Sequence, residues 1–342
     1  MRRLPFVLAL LLVLSPLQGG GAARAGQMLD NIRARSSITC GVNPGLLGFA
    51  RRGPDGAWHG LEADFCRAVA AAVIGDADRV RFVPLSAEQR FAALQHGEVD
   101  ILVRNTSFTL LRDVDMGLRA VAPLFYDGHS FMVRSDSGIT SSRGLDGQAI
   151  CFIPGTTSEQ ITREVLRGNG VFFTPVPVSG LEEAVAAFDA GRCQAGAADA
   201  TQLAVLRNAL PNPASFSILP QRYSKEVLGP MLRRGDEHLF QVVRWAVMAL
   251  IEAEELGITQ ANAEAMRRDS KVPAVRRLLG VQGEVGKDLG LSPDWAFRMI
   301  RAVGNYGEMF DRNLGAGSPL KLERGLNRQW TEGGLMYAWP LR

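Results

Sequence analysis

Two stretches of the chain, SAEQRFAALQHGEVDI from Ser86 and SGLEEAVAAFDAGRCQAG from Ser179, follow one grammar. Each opens on a serine with a glutamine or glutamate three residues on, continues as an apolar helical pattern, ends on glycine and passes into a strand-like run. Ser86 with Gln89, and Ser179 with Glu182, read as capping boxes, and Gly97 and Gly191 read as helix ends. The repeat sits at the same relative place in each half of the chain, which predicts two similar lobes. Around it, strand and helix patterns alternate. SSITCGV (36–42), VRFVPL (80–85) and VDILV read as strands, with LEADFCRAVAAAVIG (61–75) as a helix whose Leu61, Phe65, Val69 and Val73 share one face. In the second half, GQAICFIPG (147–155), VFFTPVPV and RCQAGAAD (192–199) are strands, and TTSEQITREVLRG is a helix. Such alternation predicts the α/β class with largely parallel sheets.

APLFYDGHSFMVRSD (122–136) lies between the halves, and QRYSKEVLGPMLRRGDE (221–237) follows the second. Read as extended crossings, they place residues 26–125 and 226–342 in a first lobe and 126–225 in a second. A hinged pair of this kind encloses a cleft where ligands bind. Residues 238–342 then add helices to the first lobe as a C-terminal extension, with Trp330 and Trp339 expected as packing anchors.

Arg2 and Arg3 precede the apolar run PFVLALLLVL, and Ala23-Arg24-Ala25 supplies a small-residue cleavage site. Residues 1–25 therefore read as a cleaved secretory signal peptide; the run is far shorter than the roughly 20 residues of a spanning helix. No cysteine for lipid attachment adjoins the site, so a soluble protein exported to a periplasm is expected. Removing Arg2, Arg3 and Arg24 lowers the 38 basic residues to 35, equal to the 35 acidic ones. The basic balance of the precursor thus carries no message about nucleic acid or anionic membranes. Four cysteines in an oxidising compartment suggest two disulfides with three possible pairings. Cys40 with Cys66 and Cys151 with Cys193 is the preferred pairing because each bridge then stays inside one half. The close C-x-x-C pairs of a structural zinc site are absent.

The segments GVNPGLLGF, CRAVAAAV, VPLSAEQRFAALQHGEVDIL, RNTSFTLLRD, YDGHSFMV, GTT, GRC, GITQAN and AVGNYGEMFDRNLGAGSPL resemble the periplasmic general L-amino-acid-binding proteins. These are the substrate-binding components of polar amino-acid ABC transporters. The resemblance spans essentially the whole chain after residue 25, the C-terminal extension included. It implies a type II periplasmic binding protein fold, with two α/β lobes joined by two crossover strands. It also implies a monomer without a cofactor, metal or catalytic residue, whose partners are an L-amino acid and permease subunits served by a separate ATPase.

A free α-amino acid carries a carboxylate and an ammonium on one carbon, so its receptor needs a cationic fork, an anion and further hydrogen bonds. Polar residues crowd the exit of the apolar strand at 100–103. The resemblance makes Arg112 the fork for the α-carboxylate and lines the ligand with Asn105 and Ser107; from the segment alone, Arg112 could equally pair with Asp113 or Asp115. Thr156 and Thr157 open a helix whose N-terminal N–H groups would attract a carboxylate, or they serve as a simple hydroxyl cap. Asp199, which the resemblance assigns to the ammonium group, could alternatively cap the helix starting near Thr201. Its neighbours Ala197 and Ala198 stand where the family is often polar. Arg104 either reaches the ligand side chain or faces solvent, and Leu46, Phe49 and Phe108 are candidates for an apolar wall.

Two other classes use the same scaffold. An enzyme such as a dehydratase or lyase needs a positioned acid or base; Glu88, His96 and Asp115 are available, but no G-x-S-x-G, H-E-x-x-H or Walker loop accompanies them. A chemosensory binding protein would have the same ligand site and differ in its lobe surfaces.

Overall fold

A computed structural model describes residues 26–342; the proposed signal peptide, residues 1–25, lies outside the described residues. Two five-stranded sheets form two lobes. In the first, the strands run in the order Val80–Pro84, Ile38–Val42, Ile101–Leu102, Met231–Arg233, Leu118–Ala120. In the second the order is Thr174–Pro177, Ala149–Phe152, Ala195–Asp199, His129–Arg134, Phe216–Ile218.

Both sheets are mixed rather than largely parallel, for one reason. The first three strands of each order are parallel, because helices return the chain to the same edge. The fourth is antiparallel to its neighbours, and in each lobe it is the strand laid down directly after the chain has crossed from the other lobe. Phe125–Asp127 and Glu226–Leu228 are those crossings, and they pair antiparallel with each other.

Leu61–Val73 departs from a one-faced amphipathic helix. Leu61, Ala63, Phe65, Cys66, Ala68, Val69 and Ala70 are all fully buried, because helices Glu237–Glu255 and Trp295–Val303 of the extension cover its far side. Alanine on that side lets the helix axes approach closely. The extension is tied down by polar contacts as well. Arg312 and Asn313 both donate to Asp64 Oδ2 at 2.7 Å, and Asn327 brackets Tyr126 in the crossing strand, accepting from its N–H at 2.7 Å and donating to its carbonyl at 2.9 Å. Trp330 and Trp339 anchor less than expected. Each remains about half exposed, Trp330 tilted against Tyr337 and Trp339 packed edgewise on Trp245.

The second lobe has smaller cores, one on each sheet face. The two repeated helices close on Gly97 (φ 81°) and Gly191 (φ 68°), left-handed positions that glycine occupies without strain. Ser86 and Gln89 exchange both capping bonds at 3.2 Å, although the helix itself starts at Arg90. Ser179 departs from the expected box: both its N–H and its hydroxyl bond Glu183 rather than Glu182, one turn on, and Gly180 takes the cap position. Cys40 is bonded to Cys66 and Cys151 to Cys193. Among the described residues no helix is long and apolar enough to cross a membrane, and no cluster of His, Cys, Asp and Glu has the arrangement of a metal site.

Candidate ligand-binding cleft

A cleft of about 610 Å³ lies between the lobes, lined by residues of both. The first lobe contributes the exit of strand Ile101–Leu102. There the chain turns sharply: Asn105 sits at φ 31°, a region asparagine tolerates better than most residues. Its N–H donates to Glu62 Oε1, its side-chain oxygen accepts from Asn43 at 3.0 Å, and the Thr106 hydroxyl donates to the Arg104 carbonyl at 2.7 Å. Ser107 then bridges to Leu228 of the returning crossing strand. The turn is thereby fixed to the hinge itself.

Arg112 lies on a single π-helical turn, Leu111–Asp115, a local widening often found at functional positions. The usual burial pattern is inverted here. Leu110 is 82% exposed and Leu111 58%, whereas Arg112 is only 6% exposed. Its Nη1 donates to the Ser107 carbonyl at 2.7 Å, and its guanidinium lies 5.0 Å from the Phe91 ring. Neither neighbouring acid takes it up, since Asp113 pairs with Arg234 at 3.4 Å. Arg104 is also buried and lines the cleft rather than bulk solvent, with Nε donating to the Leu85 carbonyl at 2.7 Å.

The second lobe contributes a helix N-terminus and a strand exit. The Thr156 hydroxyl caps helix Thr157–Gly168 by accepting from Glu159 N–H at 3.4 Å, so the simple capping role is present. Among the described residues, the N–H groups of Thr156 and Thr157 have no protein acceptor, as expected for the first turn of a helix. Thr157 Oγ1 lies 3.5 Å from Ser107 Oγ and donates to Glu226 Oε2 at 3.3 Å, so the lobes nearly touch at this point.

Asp199 precedes helix Ala200–Ala209 but makes no capping bond to it. Asp127 does that instead, accepting from Thr201 N–H at 3.1 Å. Asp199 is buried and its Oδ1 has no partner. Burial, with the nearby carboxylates of Asp127 and Glu226, holds its pKa well above the carboxylate range, against a smaller opposing pull from Arg112.

The seven sequence-derived candidates, Arg104, Asn105, Ser107, Arg112, Thr156, Thr157 and Asp199, all line this cleft. Of the expected apolar wall only Leu46 does. Phe49 is packed in the main core against Phe125 at 5.3 Å, and Phe108 packs in a smaller core beneath the strand exit. Sequence reasoning missed Arg90 and Glu62. Arg90 begins a helix, where the macrodipole disfavours a cation, and that misplacement was its signal. Glu62, inside the otherwise apolar LEADFC, is buried, and its pKa is pushed up to about 7 by burial, opposed by the Asn105 hydrogen bond and Arg104.

Residues 38–262 match the family described as bacterial extracellular solute-binding proteins, family 3. The chain belongs to this family. Among its relatives in the family is the glutamate/glutamine/aspartate/asparagine-binding protein BztA of Rhodobacter capsulatus, 48% identical over 94% of this chain and 95% of the relative. The general L-amino acid-binding periplasmic protein AapJ of Rhizobium johnstonii is 46% identical, again over 94% of this chain and 95% of that one. A solved ABC transporter periplasmic binding protein from Brucella ovis, with glutathione bound, superposes with a TM-score of 0.89 at 48% identity, covering 92% of this chain and 99% of the other. The fold of this family member is thus that of a type II periplasmic binding protein.

Proposed function

We propose that the chain is an exported receptor that binds a polar L-amino acid in the inter-lobe cleft and delivers it to an ABC transporter. The observation that carries this reading is a buried guanidinium and a buried carboxyl group facing one cleft from different lobes: Arg112 without an ion-pair partner among the described residues, and Asp199 with an orphaned oxygen. An α-carboxylate satisfies the first and an α-ammonium the second, while Asn105, Ser107 and the N–H groups of Thr156 and Thr157 complete the hydrogen bonds. Charge-assisted hydrogen bonds contribute about 1.5–3 kcal/mol each. A few of them reach the roughly −8 kcal/mol of a micromolar complex. The relatives are named as binding proteins for these ligands, and the chain is a binding protein rather than an enzyme.

Delivery implies permease subunits with a separate ATPase, a monomeric receptor and no nucleic-acid partner. Cleavage after Ala25 would release it into the periplasm. The lobe boundaries belong to this reading too: 26–125 with 226–342, and 126–225, each boundary falling at one of the paired crossing strands. A γ-glutamyl peptide is the second reading. The Brucella ovis protein has glutathione bound, and a cleft of about 610 Å³ falls among pockets of roughly 300–1,000 Å³ that enclose ligands larger than one amino acid. Calorimetric titration of the secreted protein with the common L-amino acids and glutathione tests both. Micromolar or tighter binding of glutamate, glutamine, aspartate or asparagine supports the first, and binding of glutathione alone would replace it with the second.

A further inference from the structure

The crossing strands Phe125–Asp127 and Glu226–Leu228 change lobes at the same step of their ladder. Tyr126 pairs with Val227, and Asp127 with Glu226. Beyond that step both carboxylates hold the second lobe. Asp127 accepts from Gly128 N–H at 2.8 Å and from Thr201 N–H at 3.1 Å, and Glu226 accepts from the Thr157 hydroxyl at 3.3 Å. Before it, Val227 holds the first lobe, its carbonyl accepting from Phe108 N–H at 2.8 Å in the turn that lines the cleft. For Tyr126 that part is played by the C-terminal extension. Asn327 is 4% exposed, and its carboxamide takes both main-chain groups of Tyr126, the N–H at 2.7 Å and the carbonyl at 2.9 Å. It thus occupies the edge of this two-stranded ladder as a third strand would.

The clamp is itself held in place. The Asn327 carbonyl accepts from Arg324 Nη2 at 2.7 Å, and Arg324 is paired with Glu254 of helix Glu237–Glu255 in a largely buried ion pair. The extension grips the same strand at two further points. The Tyr306 hydroxyl donates to the Leu124 carbonyl at 3.0 Å, and Phe310 stacks on Phe125 with ring centroids 6.2 Å apart. Tyr306, Phe310, Arg324 and Asn327 all lie beyond residue 262, outside the stretch that matches the family.

We propose that Asn327 is a positioning residue for lobe closure: by clamping Tyr126 to the extension it confines the bend of the first crossing to the link between Tyr126 and Asp127, and so limits how far the empty lobes part. The inference concerns the motion, and it rests on the amino-acid-binding reading only for the ligand that drives closure. A receptor whose empty state spreads over fewer open arrangements keeps a larger fraction ready for ligand, and its apparent affinity rises with that fraction. A purely structural Asn327 would support thermal stability and leave the spread of the empty state unchanged.

The test is small-angle scattering and calorimetric titration with L-glutamate on wild type, Asn327→Ala and Tyr306→Phe, with thermal melting to establish that each variant is folded. Without ligand, Asn327→Ala should be more extended than wild type. Saturating L-glutamate should bring both to one compact form, and the affinity of the variant should fall about fivefold. Tyr306→Phe keeps the ring and removes the bond to Leu124, so it should shift the same way by less, and it carries the test if Asn327→Ala does not fold. Ligand-free scattering equal to that of wild type in a folded variant would overturn the clamp and leave the amino-acid receptor standing. A wild type that binds none of the common L-amino acids would overturn the receptor reading instead, and the ligand-free scattering would still decide the clamp.

Discussion

The exits of strands Ile101–Leu102 and Ala195–Asp199 occupy equivalent places, each third in its sheet and parallel to its neighbour, yet they carry opposite chemistry. The first lobe's exit opens into a cationic turn whose guanidiniums are braced by backbone carbonyls, Arg112 on Ser107 and Arg104 on Leu85. The second lobe's exit ends in a buried carboxylate that Asp127 has relieved of its capping duty. Among the described residues Arg112 has no ion pair and one Asp199 oxygen has no hydrogen-bond partner, although Glu62 and Glu226 act on the cationic side. On the proposed reading, two lobes of one architecture would serve as a receptor by dividing the charges of a zwitterion, and a ligand that spans both would favour a closed arrangement.

The sharpest way to break this comparison is to empty the cationic side. Arg112→Ala should lower amino-acid affinity by about 1,000-fold, the loss of two charge-assisted bonds, while the thermal transition stays near that of wild type. Retained affinity would remove Arg112 from the site. On the anionic side Asp199→Asn should cost about 100-fold and abolish a proton signature. Because burial, Asp127 and Glu226 hold the Asp199 carboxyl well above its usual range, an arriving ammonium should lower its pKa and drive proton release wherever the free carboxyl is still partly protonated. Titrations of wild type in buffers of different ionisation enthalpy should show that release, and equal heats would deny it.

Glu62, the one carboxylate within the cationic exit, sharpens the contrast through stability. Its folded pKa is raised to about 7 by burial, so its contribution is fully present below the unfolded carboxylate range and is lost as pH rises through about 7. Wild type should therefore lose about 2 kcal/mol relative to Glu62→Gln between pH 5 and 7. Urea unfolding at the two pH values measures this, and parallel stabilities would show that Glu62 stays ionised.

The α/β class and the twofold grammar were legible because capping serines, apolar helix faces and closing glycines are local signals. The antiparallel fourth strands were not, since they arise from the chain's return between lobes rather than from any pattern within the strands. Leu61–Val73 misled in the same way: Leu61, Phe65, Val69 and Val73 were expected to share one face, and the extension buries its alanines as well. In the cleft, the residues just beyond the strand ends were legible through the family resemblance, with the convergence of such ends on one edge as its physical support. Phe49 could not be separated from Leu46, three residues earlier, since both are apolar and only the turn between them decides which meets the cleft. Arg90 was hidden in a helix that reads as ordinary amphipathic surface.

The most direct measurement is a crystal structure of the secreted protein grown with L-glutamate. Expected is one ligand in the cleft, its α-carboxylate within about 3.2 Å of the Arg112 guanidinium and its ammonium within about 3.2 Å of the Asp199 carboxylate. A ligand held by one lobe alone, or seated with neither residue touching it, would contradict the division of charge between the lobes.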